Sequence, residues 1–289
     1  MGGKPDSPEN AFDAHQTLDA LGGLEDDAID LGRAALALAV LSHKGISTDR
    51  YIHHLNILAQ DVAEQHQTLV KSGEANDAAT QLEALKIVLF DTHGYKGDSE
   101  TYDDLQNASL IRVIDRAKGL PIALSILYIH AARAQGWDIA GLNIPGHFVC
   151  RLSKDGQTLI FDPFNGCEIL EAPDLRTIVK QALGEHAELS TEYYEAASNR
   201  DILLRLQNNI KFRQIEAEDY EGALETVLAL RKVDPAEYRL LLDEGVLYAR
   251  TDQTRAAIDS LVSYIEKAPN SRDRMEAELL LQHLRERLN

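Results

Sequence analysis

A histidine and an aspartate held side by side on neighbouring strands form the base-and-orienter half of a nucleophilic site. The imidazole takes the nucleophile's proton, and the carboxylate fixes the ring's tautomer and charge. The stretch KGLPIALSILYIHAARAQGWDIAGLNIPGHFVCRLSKDGQTLIFDPFNG, residues 118–166, supplies such a pair in His147 and Asp162. Between the apolar, β-favouring runs Phe148–Leu152 and Thr158–Phe161 lies Asp155-Gly156, a strong hairpin signal. With a two-residue turn there, Val149 stands opposite Asp162; with the turn centred one residue earlier, His147 does. Either register keeps the two side chains within reach of one another.

What such a pair would activate is less plain, because the chain has only two cysteines, Cys150 and Cys167. Strand alternation puts His147, Val149 and Arg151 on one face and Phe148, Cys150 and Leu152 on the other. Cys150 therefore points away from the histidine and reads as a small core residue. Cys167, in the turn begun by Asn165-Gly166, can swing toward the pair, although a flexible turn does not preorganise a nucleophile. Four histidines, His43, His53, His54 and His93, invite a metal reading, but the adjacent His53 and His54 face different sides of a helix, and no metal is expected. Neither G-x-G-x-x-G nor G-x-x-x-x-G-K-[ST] occurs, so no cofactor is expected either.

The elements that must position these residues are mostly helical. Residues 1–23 read as a frayed acidic leader. A mostly buried helix is expected over 24–41, a second from an Asp49 cap to a Gly73 stop, and a third over 76–92 burying Leu82, Leu85, Val88 and Leu89. After an irregular 93–105, Asn107 reads as the N-cap of a short helix ending at Gly119. Pro121 suits a first helical turn, and the helix it opens is apolar nearly all the way round, which marks it as central and buried. The hairpin follows. Arg116 and Lys118, just before the central helix, read as a solvated surface that could still offer positive charge to a carboxylate-bearing peptide.

Past Pro173 the pattern is wholly helical and repeats itself. A shift of 34 residues superposes Ala223 on Ala257, Leu224 on Ile258 and Pro235 on Pro269, the period of a tetratricopeptide helix-turn-helix. In the second copy Gly245, Tyr248, Ala257 and Pro269 hold the small, aromatic, small and terminating positions; the first has Lys211 and Gln214 where glycine and tyrosine belong. Two repeats are expected over 197–289, with a last helix from Ser271 to Leu288 as a cap. They either present a groove to a partner or brace the first domain, with Leu228, Leu230, Leu240, Leu241 and Leu247 buried.

Composition narrows the function. The chain has 289 residues, 44% of them apolar, enough for real cores. It carries 29 Lys and Arg against 47 Asp and Glu, a net charge of −18, which opposes nucleic acid and anionic membrane. Scarce cysteine, no leading basic-then-apolar segment and no apolar run of spanning length point to a cytoplasmic protein in a reducing compartment.

The segments LFDTHGYKGDSETYDDLQNASLIRVIDRAKGLPIALSILYIHAARAQGW, GLNIPGHFVCRL and FDPFNG together resemble the SirB-type branch of the transglutaminase-like superfamily, whose members add C-terminal tetratricopeptide repeats. The resemblance implies an α+β fold: a helix-rich papain/transglutaminase-like domain over 24–196 with a small antiparallel sheet, then an all-α repeat region. It matches His147 and Asp162 to the family's base and orienting acid, and puts Pro121 where active members carry the nucleophilic cysteine. Ser125 lies one turn further in. The expectation is a non-catalytic protein that binds a protein or peptide and acts in regulation, with Pro121, Ser125, Asn143, Asn165 and Cys167 around the groove. A cysteine hydrolase or acyl transferase using His147, Asp162 and Cys167, and an adaptor whose His and Asp pair is vestigial, are the other readings.

Overall fold

The computed structural model describes residues 12–43 and 45–288. The chain separates into two compact units: one takes in Glu25–Ile202, and the other Leu18–Leu24 together with the chain from Leu203 on. The contact boundary thus falls inside a helix, Asn199–Glu216, where the sequence reading put it at 197.

Residues 1–11 of the acidic leader lie outside the described residues. The rest is not frayed: Ala14–Leu21 (α1) is a helix with Ala14, Leu18 and Leu21 buried. The helix expected over 24–41 shortens to Leu31–Leu41 (α2), which starts where the Asp30 carboxylate accepts from the Arg33 N–H. Asp49–Lys71 (α3) is preceded by Thr48 as its N-cap residue, so Asp49 is its first residue and not its cap; Gly73, at φ +107°, lies just beyond its end. The third expected helix is Ala78–Leu85 (α4), capped by Asp77, and it continues as a π-helical stretch, Lys86–Thr92.

In the first unit the central helix Pro121–Arg133 (α6) is buried almost all round, as its composition requires. It is preceded by Leu110–Arg116 (α5), which begins after Ser109, not Asn107. Asn107 instead sits buried in a 3-10 turn, Leu105–Ala108, and donates its amide to the Thr101 carbonyl. Two short strands, Lys96–Gly97 (β1) and Lys118–Gly119 (β2), pair in parallel just before α6.

A four-stranded antiparallel sheet lies in sequence order: Asp138–Ile144 (β3), His147–Lys154 (β4), Gln157–Asp162 (β5) and Glu168–Ile169 (β6). Lys154 pairs with Gln157 across a turn in which Asp155 (φ +50°) and Gly156 (φ +83°) are both left-handed, the geometry two-residue hairpins favour. Strand β3 is an addition to the expected hairpin. Its Gly141 exists for a reason: a Cβ there would run into the Phe148 ring. Helix Ala172–Leu183 (α7) covers the outer face of the sheet, burying Leu175 and Val179 with Leu142, Ile144 and Val149.

The second unit follows the repeat. Tyr220–Val233 (α9) and Thr254–Lys267 (α11) begin and end 34 residues apart, and Ala223 and Ala257 are both buried. Their partners are Asn199–Glu216 (α8) and Arg239–Arg250 (α10). Ser271–Leu288 (α12) buries Ala277, Leu281 and Leu284 against α11. Of the five leucines expected to be buried, Leu230, Leu240, Leu241 and Leu247 are; Leu228 is exposed. Among the described residues no helix is long and apolar enough to cross a membrane.

Candidate functional site

The hairpin places the two candidate residues in direct contact. His147 Nε2 lies 2.7 Å from Asp162 Oδ2. Cys150 faces Phe161, so the register continues to Val149 opposite Asp162, and the histidine meets the aspartate on the diagonal. Asp162 is 1% exposed, and its carboxylate also accepts from the Asn165 amide at 2.7 Å and the Phe164 N–H at 2.9 Å. A buried carboxylate so supplied with donors is held in one place.

The turn after β5 completes the setting. The Phe164 ring stands edge-on to His147, with centroids 6.1 Å apart, and edge-on to Tyr102 on its other side. Gly97 makes room for it: a Cβ at that position would meet the ring at 2.6 Å. The segment carrying Gly97 and Tyr102 is clamped by Asp98, which is buried and accepts from Thr101 and, at 2.6 Å, from Arg116. Burial alone would raise the Asp98 pKa; the Thr101 donors and Arg116 outweigh it and hold it at about 2. Arg116 is therefore a structural clamp, bonded also to Asn107, which corrects the solvated surface expected there; Lys118 lies 3.5 Å from the exposed Glu100.

Beside the pair opens a cleft of about 500 Å³, walled by the β3–β4 turn, the β5–β6 turn and α7. His147, Asp162 and Asn165 line it, with Glu168, Asp174 and Gln181 as further polar groups and Leu170 and Ile178 as apolar ones. Gly146, at φ +76° after Pro145, lets the β3–β4 turn close against α7; a Cβ there would lie 2.7 Å from that of Ala182. This Pro-Gly order suits a type II turn.

The other sequence candidates are elsewhere. Pro121 is buried at the start of α6, and Ser125 donates its hydroxyl back to the Pro121 carbonyl at 2.8 Å. Cys150 is fully buried on the α6 side of the sheet, and burial raises its pKa to about 12. Cys167 is 5% exposed, its thiol donating to the Tyr128 hydroxyl at 3.2 Å, and burial raises its pKa likewise to about 12. Asn143 is exposed on β3, opposite Phe148. Of the expected groove residues, Asn165 alone joins His147 and Asp162 at the cleft; Pro121, Ser125 and Cys167 belong to the core.

His54 meets the Tyr95 hydroxyl at 2.7 Å and His93 meets Asp61 at 2.9 Å. Among the described residues no group of three or more His, Cys, Asp or Glu is arranged to hold a metal ion.

Sequence reasoning missed Phe164, Gly97 and the α7 wall. The first two are brought together by a backbone hydrogen bond, the Gly97 N–H to the Phe164 carbonyl at 3.1 Å, between segments for which periodicity gives no signal. The wall was open to inference, since Pro145-Gly146 between apolar runs marks another turn and Glu171 to Asp174 form a capping box at the start of α7.

A central helix, an antiparallel sheet and a His and Asp pair on its strands define a class, and residues 49–208 match the transglutaminase-like superfamily. The chain belongs to that superfamily. Residues 210–282 match the tetratricopeptide repeat. Among relatives, the UPF0162 protein of Vibrio cholerae is 30% identical over 84% of this chain and 88% of its own length. A UPF0162 protein of Xylella fastidiosa (strain Temecula1) is 28% identical over 87% and 88%, and protein SirB1 of Salmonella typhimurium 24% identical over 65% and 70%. No solved structure matches the chain.

Proposed function

We propose that this chain is a non-catalytic member of its superfamily that binds a protein or peptide segment in the cleft beside His147 and acts in regulation, not in chemistry. What supports this reading is the start of α6, where the family resemblance would put the nucleophile and this chain has Pro121, together with the burial of both thiols and the bond of Cys167 to Tyr128. Burial raises the Cys167 pKa to about 12, which keeps the thiol protonated and poorly nucleophilic at neutral pH. For Cys167 to act as nucleophile, its thiol would have to leave Tyr128 and turn to His147.

The cleft's chemistry supports a ligand of definite character. Glu168 and Asp174 favour a basic side chain, and Leu170 and Ile178 an apolar one beside it. The repeat region fits the same role, since stacked helical repeats commonly serve protein recognition. The test is a positional-scanning library of short synthetic peptides, read by fluorescence anisotropy on the full chain. Selection of Lys or Arg next to an apolar residue is expected, with binding at least about tenfold weaker in Glu168→Lys. Absence of positional selection, or selection untouched by that reversal, would contradict the proposal.

A further inference from the structure

A second cavity, of about 570 Å³, opens where α3, the start of α4, the end of α6 and the β4–β5 turn converge; it shares no lining residue with the His147 cleft. Its volume lies within the range of about 300–1,000 Å³ typical of small-molecule sites. Gln81 stands in its wall, 3% exposed, and the side-chain Oε1 has no hydrogen-bond partner within the protein. His66 Nε2, in the same wall, has none either. Buried polar atoms are almost always paired, so two orphans on residues that line one cavity leave hydrogen-bonding capacity that no group of the chain meets.

The rest of the lining says what kind of partner. Asn76, Gln81 and Gln157 each offer a donor and an acceptor on one side chain, which complements a hydroxyl group that also gives and takes. Burial and the nearby Lys154 charge both lower the His66 pKa, so at neutral pH its ring likewise has one donor and one acceptor. Trp137 meets His66 at 5.0 Å between centroids and gives the cavity an apolar aromatic surface. The only cation, Lys154, is accompanied by Asp138 and Asp155, so there is no surplus of positive charge to hold a phosphate. We propose that this cavity binds a neutral polyhydroxylated small molecule, a sugar ring, with its C–H face on Trp137 and its hydroxyls on Gln81, His66 and Asn76.

Trp137 is the chain's single tryptophan, so its emission reports on this cavity directly. The full-length protein would be titrated with D-glucose, D-galactose and N-acetyl-D-glucosamine, and with ATP as an anionic comparison. A saturable change with at least one sugar is expected, weakened at least about tenfold in Gln81→Leu and not reproduced by ATP. Saturation-transfer NMR with the same sugars detects binding that leaves the fluorescence unchanged. If circular dichroism shows that Gln81→Leu does not fold, the exposed rim pair Asn76→Ala with Gln157→Ala takes its place, with the same loss expected. No saturable response to any sugar by either method up to about 100 mM, equal affinity in the folded variant, or saturation by ATP alone would overturn the proposal.

Discussion

Asp162 collects three donors on one buried carboxylate: the His147 ring, the Asn165 amide and the Phe164 N–H. Its truncation strands them all, so Asp162→Ala is expected to destabilise the fold by about 3 kcal/mol in urea unfolding. His147→Ala leaves the carboxylate with two donors and should cost less, about 1–2 kcal/mol. Equal, negligible costs for both would deny the pair its structural role. The contact itself was legible in the sequence, because both registers that the Asp-Gly turn allows bring the two side chains together; the structure adopts the one that sets them on the diagonal. Illegible was the fate of the cysteine in the next turn: Cys167 adopts φ +63° and delivers its thiol to Tyr128 on α6, a meeting of residues 39 apart that no local pattern announces.

Among the elements, the β3–β4 turn and α7 depend on Gly146. A side chain there meets both a left-handed backbone and the Ala182 methyl, so Gly146→Ala is expected to cost about 1–3 kcal/mol and to disturb the cleft, as measured by urea unfolding and peptide anisotropy. The 95–109 segment depends on the Asp98 clamp, and pH reads it out. The Asp98 pKa of about 2 in the folded chain lies below its ordinary 3.8. Its contribution is therefore complete above the unfolded value and is lost as pH falls from about 4 through about 2. Unfolding free energies measured from pH 5 to 2 should fall more steeply in the native sequence than in Asp98→Asn; parallel curves would contradict the clamp. Helices were legible where caps and periodicity agreed, as at Pro121. Strand β3 escaped because Gly141 interrupts its pattern, and that glycine answers to the Phe148 ring from the neighbouring strand. The stretch 86–92 was legible as helix but not as π-helix, since side-chain periodicity does not reveal a change of backbone hydrogen-bond pattern.

At the scale of the whole chain, a transglutaminase-like unit whose central helix opens with Pro121 is joined to helical repeats. The repeats were the most legible part, since a 34-residue period imposes the same burial twice, at Ala223 and at Ala257. The first copy departs from the pattern with a purpose: Lys211, in the glycine position, is 5% exposed and paired at 2.6 Å with Asp243, while Gln214 accepts from Thr226. Leu261 seals the second copy against Gly245, and Leu261→Ala should cost about 2–5 kcal/mol by thermal or urea unfolding. The central claim, that the His and Asp pair serves no thiol chemistry, is tested most directly by iodoacetamide labelling of the folded chain. Mass spectrometry would follow Cys150 and Cys167 in the native sequence and in His147→Ala between pH 6 and 9. Slow labelling of both thiols, far below that of the unfolded chain and unchanged by His147→Ala, is the expected result; rapid labelling of Cys167 at neutral pH that disappears with the histidine would contradict it.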